Sequence, residues 1–224
     1  MKDIKEFENK IICGDSTKIL SEIPYNSIDL ILADPPYNLD IDYGEHTNDK
    51  RRKLDYAEWC KSWFNQLFRI SNQVLITCGR TNLFMWYKIK EPDWILNWHI
   101  PNGLSRTPLR GFLTWEPILF YGKAKKRIMH DTITAPLIKL KDMEIGDHPC
   151  PKPEKLFLKL IESFTHKNDI VLDPFIGSGT TAVASKLLNR RYCGIEINPE
   201  YCELARERVR NTIIKKEVDN GKWW

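Results

Sequence analysis

Short apolar runs alternate with longer amphipathic stretches along most of the chain. Seven apolar runs have the length of β-strands, and each is followed by a glycine, a proline, an acidic residue or another turn former. They cover residues 10–15, 28–36, 74–79, 94–100, 117–123, 169–175 and 191–197. The runs at 94–100 and 117–123 are predicted to form an antiparallel pair near one edge of a sheet.

Helical periodicity fills the intervals between these strands. One predicted helix buries Tyr56, Trp59, Cys60, Trp63, Phe64 and Leu67, and a second, starting at Pro153, buries Leu156, Phe157, Leu160, Ile161 and Phe164. Further helices are predicted over residues 177–188 and 199–216, with a short one over 81–91. Strands that alternate with helices indicate an α/β fold, namely a doubly wound, mostly parallel sheet covered on both faces.

Two segments show neither the strand-length apolar runs nor the helical periodicity. Residues 40–55 are polar and charged and are interpreted as a mobile loop, whereas residues 123–150 are basic and proline-containing and are interpreted as an irregular insertion. Phe112 and Trp115 precede the strand at 117–123. For both side chains, core packing is favoured over a role as a stacking residue or a wedge.

Composition and charge narrow the function classes. The 224 residues fit one large domain, with room for a second small one, and no apolar run is long enough to span a membrane. The polar N-terminus has no signal-peptide core, so a cytoplasmic protein is expected. A net charge of +4 permits nucleic-acid binding without requiring it, and basic clusters lie at residues 50–53, 123–127 and 190–191.

Cysteine and histidine spacing gives no sign of a metal site. The six cysteines show no CxxC pair and the five histidines show no HxxxH pattern, so we expect reduced, mostly buried thiols and no bound metal.

The segment VLDPFIGSGTTAVA carries the first candidate site. A strand ends at Asp173, a turn with Gly177 and Gly179 follows, and a helix begins near Thr180. Glycines let the backbone approach a ligand closely, and a helix N-terminus offers free N–H groups. Glu196 ends the next strand, where an acid can accept both hydrogen bonds of a ribose diol. This unit predicts a site for an adenosine-containing cofactor, and a plain tight turn is the alternative.

The segment DPPY carries the second candidate site. Asp34 follows the buried apolar part of the run at 28–36, at the end where parallel sheets bind ligands. Pro35 and Pro36 stop the strand and stiffen the corner. The Asp34 carboxylate and the Pro35 carbonyl can both accept from one NH₂ group, and Tyr37 offers a flat face for stacking. The corner is therefore predicted to bind a planar, amino-bearing molecule, and a turn capped by the aspartate is the alternative.

Together these motifs resemble the amino-methylating DNA methyltransferases that use S-adenosylmethionine. DPPY at 34–37 looks like their catalytic motif, DPFIGSGTT at 173–181 like their cofactor motif, and HPCPKP at 148–153 like the segment that precedes the cofactor motif. The order, with the catalytic motif first, is that of the beta class, and the resemblance spans about residues 11–209.

The resemblance implies a permuted, seven-stranded methyltransferase sheet. It implies a catalytic half at 1–122, a short target-recognition insertion at 123–147, a cofactor-binding half at 148–216 and a flexible tail at 217–224. It also implies a prokaryotic or viral source, duplex DNA as the partner, and a possible homodimer or accompanying restriction endonuclease. The implied catalytic residues are Asp34, Pro35, Pro36 and Tyr37. The implied cofactor-binding residues are Asp15 at the adenine, Glu196 at the ribose, Lys152 near the methionine end, and Asp34, Asp173, Phe175, Gly177, Gly179, Thr180 and Asn198.

The insertion is shorter than is usual in the family. The loop at 40–55, the basic cluster at 123–127 or a second subunit are therefore candidates for reading DNA. Lysine and arginine clusters contact phosphates without specifying sequence.

Adenine N6 is the predicted target, because an aspartate at the first motif position resembles the adenine enzymes of the family. Cytosine N4 is the nearest alternative, since both bases present an amino group beside a ring nitrogen. Methylation of RNA or of protein glutamine is disfavoured, because the cofactor motif typically precedes the catalytic motif in those enzymes. An inactive, DNA-binding partner subunit is the non-enzymatic alternative.

Overall fold

A computed structural model describes residues 2–105, 107–138, 149 and 151–214. Three predicted parts lie wholly or partly outside these residues. They are the end of the predicted insertion, the residues His148 and Cys150 of the HPCPKP segment, and the predicted tail. The strands are β1 (Lys10–Cys13), β2 (Leu30–Ala33), β3 (Gln73–Thr77), β4 (Trp94–His99), β5 (Trp115–Gly122), β6 (Thr132–Thr134), β7 (Ile170–Asp173) and β8 (Arg191–Glu196). The helices are α1 (Ser16–Ile19), α2 (Lys53–Ile70), α3 (Leu83–Ile89), α4 (Glu154–Phe164), α5 (Thr180–Leu187) and α6 (Pro199–Asn211).

The described strands form one mixed sheet in the order β1-β8-β7-β2-β3-β5-β4-β6. Only β5 runs against its neighbours β3 and β4, so the predicted doubly wound, mostly parallel sheet is confirmed, as is the antiparallel pair β4–β5. The predicted number of seven strands is wrong. The eighth strand is β6, which pairs in parallel with β4 and lies inside the segment interpreted as an irregular insertion. Three residues are too few for a period to show in the sequence.

Two hydrophobic layers cover the sheet. Alternate residues of β2 and β3, such as Ile31 and Val74, pack against α2 and α3, and the intervening residues, such as Leu32 and Leu75, pack against α4. The predicted faces of α2 and α4 are buried except for Trp59, which is half-buried. Among the described residues, no helix combines the length and the apolar character that a membrane span needs.

The strand directions define two edges of the sheet. Seven strands end at one edge, called here the carboxyl edge, where β5 begins. At the opposite edge, called the amino edge, β5 ends at Gly122 beside Gln73, the first residue of β3. The basic cluster at 123–127 therefore lies at the amino edge. There Lys125 pairs with Asp29, and Lys126 donates to the carbonyl of Glu162 at 2.5 Å. These contacts place the cluster away from the ends of β2 and β7.

Candidate active site

The two candidate sites lie side by side. β2 and β7 are parallel neighbours, with Leu30 opposite Val171, so Asp34 and Asp173 meet at the carboxyl edge. Between them opens a cavity of about 410 Å³. Of the predicted site residues, Gly179 and Asn198 do not line this cavity. Those that do are Asp15, Asp34, Pro35, Pro36, Tyr37, Lys152, Asp173, Phe175, Gly177, Thr180 and Glu196.

The Asp34 carboxylate lies in the cavity wall and accepts three kinds of donor. The Tyr37 hydroxyl donates to it at 3.2 Å, and the hydroxyl of Thr77, at the end of β3, donates to the same oxygen. The Lys152 ammonium lies 2.8 Å from that oxygen and 2.9 Å from the other. Asp34 is thus held in place by neighbouring groups while its carboxylate faces the cavity.

The rest of the corner is fixed by contacts that sequence reasoning missed. The Tyr56 hydroxyl donates to the Pro36 carbonyl at 2.7 Å, and the Asn82 amide donates to the Tyr37 carbonyl at 2.8 Å. Among the described residues, no donor hydrogen-bonds to the Pro35 carbonyl, which therefore keeps its acceptor capacity. Gly79 packs against the edge of the Tyr37 ring, where an added Cβ would lie 2.9 Å from a ring carbon.

Lys152 contacts the corner more directly than its predicted place near the methionine end implies. Besides pairing with Asp34, its ammonium lies 4.7 Å from the centre of the Tyr37 ring. A cation over an aromatic face is a favourable contact. Lys152 therefore covers a face of the ring on which a planar ligand would stack.

The glycine turn after β7 is held by Asp173. One oxygen of its buried carboxyl accepts the Phe175 N–H at 2.9 Å, and the other accepts the Thr181 hydroxyl. Burial raises the pKa of Asp173 to about 7. Gly179 has φ +89° and packs against Ala205 of α6, where an added Cβ would lie 2.9 Å from the alanine Cβ. Asp173 and Gly179 thus shape the turn.

Phe175 sends its side chain away from the turn and into an aromatic cluster. Its ring centre lies 5.6 Å from that of Trp59 and 4.8 Å from that of Trp63, both on α2. Phe175 therefore packs the turn after β7 against α2.

Glu196 connects β8 to the glycine turn. Its two carboxyl oxygens accept the N–H groups of Gly177 and Asn198, each at 2.9 Å, and its side chain is buried. Burial raises the pKa of Glu196. Asn198 caps α6 by accepting the Glu200 N–H, and in the same way Asp15 caps α1 by accepting the Thr17 N–H at 2.9 Å. Both capping side chains are occupied in local structure, although Asp15 also lines the cavity.

The segment at 40–55, interpreted above as a mobile loop, folds over the cavity. The buried Asp49 carboxylate accepts the N–H groups of Asn38, Leu39 and Ile41 at 2.6–3.0 Å. Arg51 stacks on the Trp59 ring at 4.6 Å. Residues 40–52 form a loop, as predicted, whereas residues 53–55 already belong to α2. One internal aspartate organises this loop, and a charged, non-periodic sequence gave no sign of it. The mobility of the loop stays a prediction.

Glu116 is another residue that sequence reasoning missed. It is the second residue of β5, lines the cavity, and has a buried Oε2 with no hydrogen-bond partner. Burial raises the pKa of Glu116, while Lys152 and Arg80 act to lower it. Only the antiparallel pairing of β5 with β3 brings this carboxyl to the same edge as Asp34.

Comparison with known proteins identifies the family. The family model of the DNA methylases, N6_N4_Mtase, matches residues 28–145 and 122–207. The chain belongs to this DNA methylase family. The Type II methyltransferase M.HpaI of Haemophilus parainfluenzae is 33% identical over 237 residues, which cover 90% of this chain and 74% of that protein. The Type II methyltransferase M2.DpnII of Streptococcus pneumoniae is 31% identical, and the match covers 90% of each chain.

Solved structures share the fold. PvuII DNA methyltransferase, which is cytosine-N4-specific, has a TM-score of 0.71 at 20% identity, over 88% of this chain and 85% of that one. The M1.HpyAVI complex with S-adenosylmethionine has a TM-score of 0.65 at 25% identity, over 89% of this chain and 98% of that one. S-adenosylmethionine is the cofactor of this family.

The residues of the cavity fit this cofactor. Its volume lies within the usual range for small-molecule sites. The Glu196 carboxyl is oriented by two backbone donors, and each of its oxygens keeps a lone pair for a ribose hydroxyl. Gly177, Ser178 and Thr180 line the cavity beside the N-terminus of α5, and the Asp34 carboxylate supplies a negative charge in the same cavity.

Proposed function

We propose that this chain methylates the exocyclic N6 of adenine in duplex DNA, using S-adenosylmethionine. The observation that carries the proposal is the Asp34 corner. A carboxylate and an available proline carbonyl stand beside an aromatic ring, next to the cofactor cavity. This set of groups suits a flat base that presents one amino group.

Duplex DNA is the proposed substrate, so the target base must leave the helix before it enters the cavity, at a cost of a few kcal/mol. The bound cofactor supplies a methyl group on a positively charged sulfur. Because Lys152 pairs with Asp34 and lies over the Tyr37 ring, an entering base displaces the ammonium from both positions. Tyr37 then stacks on the base.

Asp34 and the Pro35 carbonyl act on the amino nitrogen, whose lone pair is delocalised into the ring. By accepting its two hydrogens they favour a pyramidal nitrogen with the lone pair directed at the methyl group. Their contribution is positioning and electrostatic stabilisation of the positive charge that develops on nitrogen. As the nitrogen–methyl bond forms, the sulfur–methyl bond breaks and the sulfur leaves as a neutral thioether. The nitrogen then releases one proton to the Asp34 carboxylate or to water, so Asp34 need not act as a strong base.

Cytosine N4 is the second candidate, because the fold neighbour PvuII DNA methyltransferase is cytosine-N4-specific. Cytosine also presents an amino group next to a ring nitrogen, so the Asp34 corner fits it too. The aspartate at the first motif position favours adenine.

Modified DNA separates these reactions. The chain and its Asp34→Ala variant are expressed in a host without DNA methylation, and the DNA is hydrolysed to nucleosides for mass spectrometry. N6-methyldeoxyadenosine with the wild type alone is the expected result, and N4-methyldeoxycytidine would establish the alternative. If neither appears, label from tritiated cofactor in RNA or protein would indicate another substrate, and its absence would indicate an inactive subunit.

The cellular setting follows from the same proposal. The Type II methyltransferases among the relatives favour a cytoplasmic enzyme of a restriction-modification system. A homodimer and an accompanying endonuclease stay predictions, which sedimentation and inspection of the neighbouring genes would test.

A further inference from the structure

The connection between β4 and β5 is called here the β4–β5 arm. The structure describes it at residues 100–105 and 107–114, and it extends from the carboxyl edge. β4 ends there at His99 and β5 begins there at Trp115. Ser105 of the arm lines the cavity. The Asn102 side chain exchanges two hydrogen bonds with the backbone of Leu137, at 2.8 and 3.0 Å. The arm therefore borders the opening through which a target base would enter.

Backbone hydrogen bonds give the arm the form of a β-hairpin. The Ile100 N–H donates to Thr114, the Leu113 N–H to Ser105, and the Thr107 N–H to Gly111, at 2.6–2.8 Å. Gly103 faces the Leu113 carbonyl, and an added Cβ would lie 1.8 Å from its oxygen. The two sides are thus closely paired, and the tip around residues 107–111 has a defined shape.

The described arm exposes apolar side chains where a soluble protein usually buries them. Leu109 at the tip is 91% exposed, Leu104 77% and Phe112 60%. Trp115, at the base of the arm, is 43% exposed, so core packing is the wrong prediction for both Phe112 and Trp115. Exposed apolar patches mark interaction sites, and these four side chains belong to one short segment of the chain.

Charge indicates which partner the arm meets. Residues 100–114 contain two arginines and no acidic residue. One of them, Arg110, lies at the tip beside Leu109 with φ +61°. Positive charge next to apolar side chains suits a DNA duplex, because arginine contacts phosphate while an apolar wedge enters a base step. In a symmetric contact between two copies, tip against tip, positive charge would face positive charge.

We propose that the β4–β5 arm is a DNA wedge: Leu109 fills the space left by the extruded target base, and Arg110 holds the adjacent phosphate. The proposal rests on the proposed function and goes beyond it, because it names the element that opens the duplex. The basic cluster at 123–127, placed at the amino edge, is not needed for this step.

The test compares Leu109→Ala with Met129→Ala. Met129 is a control of similar size, 72% exposed, in the β5–β6 connection at residues 123–131. Sequencing of the modified DNA first gives the target sequence. A duplex with 2-aminopurine at the target position then reports base extrusion by fluorescence, methyl transfer gives kcat/KM for DNA, and calorimetry gives cofactor affinity.

We expect Leu109→Ala to lower kcat/KM for DNA roughly tenfold or more and to reduce the fluorescence increase, since the wedge offsets the cost of unstacking. Cofactor affinity and the Met129→Ala control should match wild type. Arg110→Ala should weaken binding across sequences and reduce the slope of log K against log salt by about 1.

Provided that wild type methylates DNA, any of three results would overturn the proposal. The first is that Leu109→Ala and Met129→Ala have equal kinetics, and the second is that Leu109→Ala loses cofactor affinity. The third is that Leu109→Ala changes the monomer–dimer equilibrium while its KM for DNA stays unchanged. Failure of the proposed function is distinguishable, because wild type itself would then leave no modified base.

Discussion

Two neighbouring strands of this sheet end in almost the same way and do different things. β2 runs into Asp34-Pro35 and β7 runs into Asp173-Pro174, at the same edge and in parallel register. The Asp34 carboxylate faces the cavity and contacts the ammonium group of Lys152. Asp173 is turned into its own loop, where Phe175 and Thr181 donate to it.

The residues after each aspartate explain the difference. A second proline follows Asp34, and prolines have no N–H to donate back, so its carboxylate is left for other partners. Phe175 follows Pro174 and supplies the N–H that captures Asp173. These two strand-end aspartates are therefore presented or internalised according to the backbone N–H donors in their own turns.

The largest expected contrast is between Asp34→Asn and Asp173→Asn. Asp34→Asn replaces an acceptor by an amide that cannot hold the amino hydrogens in the same way, so kcat for methyl transfer should fall on the order of 10²–10³-fold. Asp173→Asn keeps one acceptor for the Phe175 N–H and should keep kcat within roughly tenfold of wild type. Radiolabelled methyl incorporation measures both. Equal losses of kcat in the two variants would contradict the proposed difference between the roles of Asp34 and Asp173.

Stability should respond in the opposite order. Asp173→Ala leaves the Phe175 N–H and the Thr181 hydroxyl without their acceptor and should lower the free energy of unfolding by about 2–3 kcal/mol. Asp173→Asn should recover part of this loss. Urea titration followed by circular dichroism measures it, and an unchanged midpoint for Asp173→Ala would show that the turn does not depend on the carboxyl.

The pH dependence of stability sharpens the same point. Because burial raises the folded-state pKa of Asp173 to about 7, the protonated form is favoured by the fold. The contribution of the protonated Asp173 carboxyl to the free energy of unfolding is fully present below the ordinary aspartate pKa and is lost as pH rises towards 7. Wild type should lose stability over this window relative to Asp173→Asn, which cannot ionise there. Parallel curves for the two proteins would contradict the raised pKa.

Glu196→Ala tests whether a carboxyl that accepts backbone N–H groups of a turn can also bind the cofactor. Glu196 already accepts two backbone N–H groups, and its remaining lone pairs are proposed to hold the ribose. Its loss should weaken cofactor affinity roughly tenfold, the effect of one or two hydrogen bonds to a charged group. Calorimetry measures the affinity. Asn198→Ala is the control, because it removes the adjacent cap of α6 without removing a cavity-lining carboxyl.

Sequence reasoning reached the parts of this molecule that depend on local order. The strand ends at Asp34 and Asp173, the helix faces of α2 and α4, and the glycine turn all follow from neighbouring residues. Residues brought in from distant segments escaped it, such as Thr77 and Glu116, which reach Asp34 only through strand pairing. The role of Asp49 was not predicted for a related reason. A buried aspartate that accepts three loop N–H groups cannot be distinguished in the sequence from any other charged residue of a polar segment.

Glu116 offers the smallest and most specific test, because it is a strand-edge carboxyl whose buried Oε2 is neither presented to a partner nor held by its own turn. Burial raises its folded-state pKa, so ionisation costs the fold stability. That cost is absent below the ordinary glutamate pKa and grows as pH rises through the raised value. Glu116→Gln should therefore be more stable than wild type at pH 8 and nearly equal to it at pH 4. Thermal unfolding at the two pH values measures the difference. A variant less stable than wild type at pH 8 would mean that the Glu116 carboxyl has a stabilising partner. Glu116 would then resemble Asp173, whose carboxyl is held by neighbouring donors.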